Sequence, residues 1–437
     1  MTVDLNEDFS AFHGAMIRDQ AAFLVYSVHR VLNLYDAPKN VTLLGHSMGG
    51  IVARLAMNMG IEDAVDAILT MSTPHLLAPV TLDAGVEAIY RNIQRSIRPA
   101  LLSVCGGVAD SQIASDSCAI NLEPSEGFTV FTTSLPGAWT GVDHQAMVWC
   151  HQVRWRMARV LLAMTTVSTK VDRIETAAKW LLPGQTLAES GGSLLQEFSI
   201  EKPTTFLTSQ RPDSVQVCHA NDCHTIGDAH LEQFPIPKNG QPFPVSGEGS
   251  QSEDMGYALT VNVSGMIRLR SEDTAIVYGS HIMSTSRSNI WTPSDTGANV
   301  RVHFPRLSAS SLVVYRVFVD APACPGFRPV IKHTSVSVGN IKEERYFPVD
   351  AADILLHSHS GSAPFISSRG QGLVITIYQS PECGVRRLEV RREFWRSLAK
   401  AVTRFRMAVI AWSLGWAAVI AAVQFEHPGI SAFDLSQ

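Results

Sequence analysis

The sequence predicts an α/β domain, a β-rich domain and one membrane-spanning helix, in that order along the chain. In the first 185 residues, short apolar β-rich runs alternate with segments of helical periodicity, which is typical of a parallel sheet covered by helices. After about residue 195 the runs are short and β-rich, and Gly, Pro and Ser separate them, as in a β-sandwich or jelly roll. Near the C-terminus, residues 407–423 carry no charge. The predicted domains are residues 1–185, 196–395 and 405–425.

The α/β domain is predicted to begin with a helix over residues 14–35, which Pro38 ends. Two further helices are expected, one over residues 49–59 and one from His144 to about Met164. The strands are predicted at residues 41–44, 64–72, 101–105 and 128–134. The first of these strands should be buried on both faces.

The β-rich domain is predicted from a change of period after a linker near residues 185–200. Its clearest strands are predicted at residues 257–264, 274–282, 311–320, 353–360 and 372–380.

The uncharged segment over residues 407–423 is close to the roughly 20 residues that a spanning helix needs. The alternative is a buried core helix, but such a helix rarely lacks charge on every face. The N-terminal residues hold no apolar run, so we predict neither a signal peptide nor a membrane anchor there. Eight basic residues precede the segment and no lysine or arginine follows it, which by the positive-inside rule puts that flank in the cytosol.

The composition excludes one class of partner. The formal net charge is −5, and without a basic excess we expect no nucleic acid as a partner. Among the seven cysteines, Cys218 and Cys223 in "VCHANDCH" close a short disulfide loop, belong to a metal site, or have neither role. Their spacing matches no standard zinc pattern, so we expect no metal. The odd number of cysteines leaves at least one thiol unpaired.

Residues 45–49, Gly-His-Ser-Met-Gly, match the G-x-S-x-G pattern of a nucleophile elbow. The pattern alone recurs by chance, but here it follows a predicted strand and opens a predicted helix. Small residues two before and two after the serine allow strand and helix to approach closely. This context predicts an α/β-hydrolase with Ser47 as the nucleophile at the carboxyl end of the sheet.

A serine hydroxyl needs a histidine to take its proton and a carboxylate to orient that histidine. In this fold the acid follows the serine along the chain, and the histidine follows the acid. Asp110, after the strand at 101–105 and a Gly-Gly turn, is the favoured acid, with Asp116 as its rival. His144 follows the strand at 128–134 and is the predicted base.

Three other residues near the elbow have predicted roles. The backbone N–H of Met48, directly after the nucleophile, is expected to donate to the oxyanion of the tetrahedral intermediate. His46 is interpreted as a pocket or packing residue. His75 precedes the acid in chain order, so we interpret it as a pocket residue rather than the base.

The second oxyanion donor normally comes from a loop upstream of the elbow. Only forty residues precede the elbow strand, and they leave room for one helix and one strand at residues 2–5. The strand that carries this donor is not visible among them. We therefore expect a sheet that is incomplete on its N-terminal side. Either a gap separates the strand at residues 2–5 from the elbow strand or the strands pair out of order, and we expect weak activity or none.

Several segments together resemble the inositol-deacylases of glycosylphosphatidylinositol (GPI) anchors in the endoplasmic reticulum membrane. They are "DLNEDFSAFHG", "DQAAFL", "LLGHSMGGIVAR", "STPH", "APVTLD", "GGVADSQIASD" and "VDHQAMVWCHQ", in this order, over residues 4 to about 152. The resemblance implies that Ser47, Asp110 and His144 are the catalytic residues. It also implies a lumenal serine hydrolase that removes the fatty acyl chain from the inositol of GPI anchors, without metal or other cofactor. The implied partners are GPI-anchored proteins and the membrane.

The chain departs from this family at both ends, which predicts a truncated chain. Members carry a membrane helix, a strand and a Gly-rich loop before the equivalent of residues 2–5, and several more membrane helices at the other end. The resemblance puts the basic flank in the lumen, and we follow it over the positive-inside rule. Two alternatives stay open: another lipase-like esterase of the same fold, and a non-catalytic fragment whose β-rich domain binds glycans or proteins.

Overall fold

The structure is a computed structural model that describes most of the chain. The described residues are 1–5, 10–36, 40–80, 82–93, 97–183, 194–209, 211–212, 214–219, 222–226, 230–236, 255–271, 276–322, 328–336, 341–349, 354–357 and 372–426. Much of the predicted linker near residues 185–200 lies outside them.

Four parallel strands form the sheet of the N-terminal domain and pair in chain order. They are β1 (Val41–His46), β2 (Val65–Met71), β3 (Ala100–Cys105) and β4 (Gly127–Phe131). The helices are α1 (Gly14–Leu32), α2 (Met48–Ala56), α3 (Ala84–Ile93), the single-turn α4 (Ser115–Cys118), α5 (His151–Met164) and α6 (Lys170–Leu181).

The helices cover both faces of this sheet. On one face α1, α2 and α3 form an apolar core with residues such as Ile68 of β2 and Leu101 of β3. On the other face α5 and α6 pack against Leu69 and Leu102, the neighbours that point the opposite way along the same strands. The two central strands are buried on both sides as a result, which explains why their sequences read as continuous apolar runs. The predicted α/β fold is confirmed.

Two details differ from the sequence-based expectation. Residues 1–5 form no strand. The prediction that residues 41–44 are buried on both faces is wrong, because β1 lies at the edge of the described sheet and Leu44 is 47% exposed. Among the described strands β1 pairs with β2 on one side and has no neighbour on the other, which fits the expected sheet that is incomplete on its N-terminal side.

The β-rich domain contains three sheets. Its strands are β5 (Leu195–Ile200), β6 (Thr204–Thr208), β7 (Ser214–His219), β8 (Asp222–Thr225), β9 (His230–Pro235), β10 (Met255–Val261), β11 (Gly265–Arg270), β12 (Val277–Thr285), β13 (Ile290–Trp291), β14 (Asn299–Ser308), β15 (Tyr315–Asp320), β16 (Val330–Val336), β17 (Lys342–Pro348), β18 (Ile354–Leu356), β19 (Gly372–Tyr378) and β20 (Arg387–Arg392). One sheet has eight strands in the order β17-β16-β19-β14-β12-β6-β10-β9. The four-stranded sheets have the orders β5-β11-β7-β8 and β13-β20-β15-β18.

The long sheet packs against both short ones, which confirms the predicted β-rich domain. Phe206 and Leu259 lie in the core shared with the β5 sheet, and Val302 and Ile375 lie in the core shared with the β15 sheet. The long sheet also curls, so that its two ends approach each other. Lys332 of β16 bonds to Glu232 of β9 with an Nζ–Oε1 distance of 2.9 Å.

The two domains meet beside the loop that follows β3. The indole of Trp139 contacts the ring of Tyr346 on β17 edge to face, with centroids 5.4 Å apart. Glu343, also on β17, is buried against this loop, and a Cβ atom at Gly107 would lie only 2.8 Å from its Oε1. Gly107 has φ +68°, a value that favours glycine. The β-rich domain therefore supports the loop in which the predicted acid lies.

Two consecutive helices, α7 (Phe394–Arg404) and α8 (Arg406–Glu426), end the described chain. Within α8, Ala408–Glu426 is long and apolar enough to cross a membrane, and it is 0% buried in the structure. The alternative of a buried core helix is therefore wrong for this segment. Helix α7 was not expected from the sequence.

Candidate active site

Ser47 lies in a sharp turn between β1 and α2, at the carboxyl end of the parallel sheet. Its backbone has φ 53° and ψ −130°, a conformation that is strained for a residue with a side chain. A Cβ atom at Gly45 would lie 2.7 Å from the backbone nitrogen of Gly50. A Cβ atom at Gly50 would collide with Thr73, whereas nothing lies within 4 Å of one at Gly49. The second small residue that this turn needs is therefore Gly50 rather than the expected Gly49.

The structure brings Ser47, His144 and Asp110 into one hydrogen-bonded row. The distance from Oγ of Ser47 to Nε2 of His144 is 2.9 Å, and that from Nδ1 of His144 to Oδ2 of Asp110 is 3.1 Å. Asp110 and His144 are 1% and 4% exposed, so the bond between them is shielded from water. Chemistry assigns the protons: an ionised Asp110 accepts from Nδ1–H, which leaves Nε2 free to accept from the serine hydroxyl.

Two constraints hold Asp110 in position. Its Oδ1 accepts hydrogen bonds from the backbone N–H groups of Gln112, at 3.0 Å, and Ile113, at 2.8 Å. A disulfide between Cys105 and Cys118 closes the loop around it. This loop leaves the end of β3 and returns to the sheet through α4. Sequence reasoning missed the disulfide, because the distance between cysteines along the chain does not show which of them pair.

Asp116, the rival acid, has a different partner. Its carboxylate forms an ion pair with the guanidinium of Arg404, at the end of α7. Burial raises the pKa of Asp116, and the charge of Arg404 opposes that rise. Of the two predicted acids, the structure brings only Asp110 to His144.

His46 contacts His144, the predicted base. Its Nε2–H donates to the backbone oxygen of His144 at 2.9 Å, and the two rings lie 4.8 Å apart. Burial lowers the pKa of His46, although its bond to the His144 carbonyl and Asp110 oppose this, so the ring is neutral and can donate. His46 therefore helps to fix the loop that carries His144. The helix that was predicted to start at His144 begins only at His151, and a single 3-10 turn over Ala146–Val148 lies between them.

His75 does not line an accessible pocket, contrary to its interpretation from the sequence. It is wholly buried beneath the carboxyl end of β2. Its Nε2 lies 2.9 Å from Oγ1 of Thr70, and its Nδ1 lies 3.2 Å from Nη1 of Arg54. These bonds make His75 a packing residue of the domain.

Met48 is the first residue of α2 and directly follows the candidate nucleophile. The first N–H groups of a helix have no acceptor within the helix, and the helix dipole gives this end a partial positive charge. The backbone N–H of Met48 can therefore stabilise negative charge that develops next to Ser47.

The cysteine pair of the β-rich domain forms a disulfide. Cys218 and Cys223 are bonded across the turn between β7 and β8, which confirms the short disulfide loop. Cys150 is a free thiol, as the odd number of cysteines requires. Among the described residues, no cluster of His, Cys, Asp or Glu is arranged to hold a metal ion.

Comparisons with known proteins point to one family. Residues 1–164 match the family described as PGAP1-like alpha/beta domain. GPI inositol-deacylase from Cryptococcus neoformans strain JEC21 is 36% identical to this chain, over 97% of the chain and 52% of that protein. GPI inositol-deacylase from strain B-3501A of the same species is 39% identical over 60% of the chain and 37% of that protein. GPI inositol-deacylase A from Yarrowia lipolytica is 32% identical over 60% of the chain and 27% of that protein.

The first of these alignments covers nearly the whole chain, so it includes the β-rich domain as well as the α/β domain. The chain spans about half or less of the length of these curated relatives.

Proposed function

This chain belongs to the GPI inositol-deacylase family, and from that premise we propose that it is a serine hydrolase that removes the acyl chain from the inositol of GPI anchors. The observation that carries the proposal is the hydrogen-bonded row of Ser47, His144 and Asp110 at the carboxyl end of a parallel sheet. Buried titratable groups in this order suit nucleophilic acyl transfer.

The reaction has two steps in this proposal. His144 takes the proton of Ser47 as Oγ attacks the ester carbonyl, and the N–H of Met48 stabilises the oxyanion that forms. The imidazolium, held by Asp110, then gives its proton to the departing inositol oxygen as the ester bond breaks. In the second step His144 activates water, which attacks the acyl-serine and releases the fatty acid.

The test uses the full chain in lipid nanodiscs with a GPI lipid that carries an acylated inositol. Ser47→Ala should lower the rate by about 10⁴ to 10⁶, because serine and histidine act as one unit. Ser168→Ala, an exposed serine of the same domain, is the matched control and should leave the rate unchanged. Residual activity of Ser47→Ala above about one part in a thousand would contradict the assignment. Cleavage of simple lipid esters but not of acylated inositol would favour a general lipase-like esterase.

The location that we propose is the endoplasmic reticulum membrane, with both folded domains on the lumenal side. Two disulfides support an oxidising compartment. The positive-inside rule concerns basic residues in loops beside a membrane helix. The basic residues before α8 do not form such a loop, because several of them belong to the folded domain: Lys400 is buried and Arg404 pairs with Asp116. Asn262, in an Asn-Val-Ser sequon, is exposed. Loss of an endoglycosidase-sensitive mass in Asn262→Gln would support lumenal placement, and an unmodified Asn262 would oppose it.

Helix α7 supports contact with the membrane surface, because its polarity is the reverse of that in a soluble protein. Its large apolar side chains lie on one exposed face: Phe394, Trp395, Leu398, Val402 and the following Phe405 are 46–77% exposed. Its charged face points to the protein, where Lys400 donates to the backbone oxygen of His357 at 2.6 Å. A basic helix with an exposed apolar face is typical of the bilayer interface. Since only one residue separates α7 from α8, we propose that α7 lies in the lumenal headgroup region.

Spin labels in nanodiscs test this orientation. In a Cys150→Ser background, labels at Trp395 and Leu398 should be accessible to oxygen and shielded from a water-soluble nickel complex. Labels at Arg396 and Ala399, which lie outside the apolar face, are the matched controls and should show the opposite preference. Equal nickel accessibility at all four sites would place α7 in water and contradict the proposal.

A further inference from the structure

The curled eight-stranded sheet encloses a cleft of about 650 Å³ on the face that does not pack against the β15 sheet. The alternation along β14 shows the two faces: Val300 and Val302 point into the apolar core, and Asn299 and Arg301 point into the cleft. Seven of the eight strands contribute to its lining. A rolled sheet of eight strands leaves an interior that side chains fill or that one small ligand occupies.

Buried charges form one wall of this cleft. Nζ of Lys332 lies 2.9 Å from Oε1 of Glu232 and 3.5 Å from Oε1 of Glu344, and the lysine side chain is 6% exposed. Burial works against the charge of Lys332, but Glu344 and Glu232 raise its pKa, so the lysine stays protonated. A buried ion cluster adds little to stability compared with well-packed apolar residues of the same volume. Stability alone therefore does not account for a charged interior here.

Two polar atoms in the cleft have no hydrogen-bond partner among the described residues: Oδ1 of Asn299 and Nδ1 of His281. Asn299 is 4% exposed, and an acceptor buried without a partner is unfavourable because it has given up its hydrogen bond to water. Within the part of the chain that the structure describes, Arg301 and Lys342 also line the cleft without an ion-pair partner. Among the described residues, the cleft therefore has polar atoms without hydrogen-bond partners in its interior and cationic side chains without ion-pair partners at its exposed side.

The chemistry of the lining selects the class of ligand. The described lining contains no Phe, Tyr or Trp and no side chain larger than valine among its apolar members, so it does not suit a lipid tail or an apolar peptide. Three cationic side chains, Arg301, Lys332 and Lys342, face two carboxylates, Glu232 and Glu344, which leaves one positive charge for an anion. Guanidinium groups bind phosphate through paired hydrogen bonds. Asn and His side chains pair with hydroxyl groups as donor or acceptor.

We propose that this cleft binds a phosphorylated oligosaccharide, with its phosphate at Arg301 and its hydroxyl groups at Asn299 and His281. The site belongs to the β-rich domain and needs no contribution from Ser47. If the proposed hydrolase function holds, the phosphate-bearing glycan of a GPI anchor is a ligand of this class, and the cleft then holds the part of the substrate that does not react.

Calorimetric titration of the full chain in nanodiscs tests the proposal, in a Ser47→Ala background so that no turnover occurs. The probes are mannose 6-phosphate, mannose and inorganic phosphate. Mannose 6-phosphate should bind more tightly than either of the others, because only it satisfies both the cation and the unpaired polar atoms. Arg301→Gln and Asn299→Ala should each weaken its binding by about tenfold or more. Arg391→Gln, at an exposed arginine of the β15 sheet, should leave the binding unchanged.

Three outcomes would overturn the proposal. They are no binding of mannose 6-phosphate, equal binding of mannose 6-phosphate and inorganic phosphate, and binding that Arg301→Gln leaves unchanged. Because Asn299 is buried, its substitution can destabilise the fold, so the binding result for Asn299→Ala is used only if the variant has the same thermal unfolding midpoint as the parent chain. Arg301 is exposed, so Arg301→Gln still decides the test if Asn299→Ala proves unstable. Since binding is measured without hydrolysis, failure here leaves the assignment of Ser47 untouched, and failure of that assignment leaves this test valid.

Discussion

Replacing the buried carboxyl of Glu343 should make the protein more stable at alkaline pH. Glu343 is 2% exposed and lies where the β-rich domain meets the loop of Asp110. Burial raises the pKa of Glu343 from an ordinary value of 4.5 to about 7, even though Arg345 lowers it. A carboxyl whose pKa is raised on folding contributes stability that is fully present below pH 4.5 and is lost as the pH rises through about 7.

The magnitude follows from the interval between these two pKa values. One pH unit corresponds to about 1.4 kcal/mol, so the free energy of unfolding falls by about 3 kcal/mol across the window from 4.5 to about 7. Glu343→Gln keeps the shape of the side chain and removes the titration. At pH 8 the variant should be more stable than the parent by up to about 3 kcal/mol, and at pH 5 by less than about 1 kcal/mol.

Urea unfolding of the detergent-solubilised chain at pH 5 and pH 8 measures this difference. With a slope of about 3 kcal/mol per M, the midpoint of Glu343→Gln at pH 8 should lie about 1 M above that of the parent. Glu175→Gln, at an exposed position of α6, is the control and should shift neither midpoint appreciably. A midpoint at pH 8 that is equal to or below that of the parent would refute the reasoning, because it would mean that Glu343 is ionised and that Arg345 and Lys400 stabilise its charge.

Two further predictions concern the elbow and the acid. Asp110→Asn should lower the rate of hydrolysis by about 10⁴, as in other triads, whereas Asp116→Asn should lower it much less; the reverse order would make Asp116 the acid. Gly50→Ala should destabilise the protein by about 1–3 kcal/mol, because its Cβ collides with Thr73, whereas Gly49→Ala, with open space around it, should leave thermal stability within about 1 kcal/mol of the parent. Equal unfolding midpoints for the two alanine variants would contradict this account of the turn.

Local patterns explain why much of the fold could be predicted from the sequence. Buried parallel strands read as apolar runs, and the strand-turn-helix around Ser47 has a pattern of its own. The exposure of β1 could not be predicted in this way, because an apolar run does not reveal how many neighbouring strands a strand has. Leu44 looks like a core residue in the sequence and lies half exposed at the edge of the sheet.

The parts of the candidate site that sequence reasoning missed depend on contacts between distant residues. Two aspartates six residues apart both suit the acid by position, and only the folded loop shows that Asp110 meets His144 while Asp116 meets Arg404. Helix α7 was missed for another reason. Its apolar face is visible at helical spacing from Phe394 onward, but the sequence does not say whether such a face turns towards a protein core or away from it.

The ion pair between Asp116 and Arg404 joins residues that are 288 positions apart, and this separation has a consequence for the timing of biosynthesis. Domains fold as they emerge from the ribosome, at about 5–20 residues per second, so Arg404 follows Asp116 after about 15–60 s. During that interval the α/β domain already has its serine and histidine, while the acid loop lacks Arg404 throughout and lacks Glu343, which is buried against the same loop, for the earlier part. We expect chains stalled before residue 343 to react with a serine-directed phosphonate more slowly than chains stalled after α7. A newly made chain would then complete the support of its acid loop only once the helix beside the membrane has been synthesised.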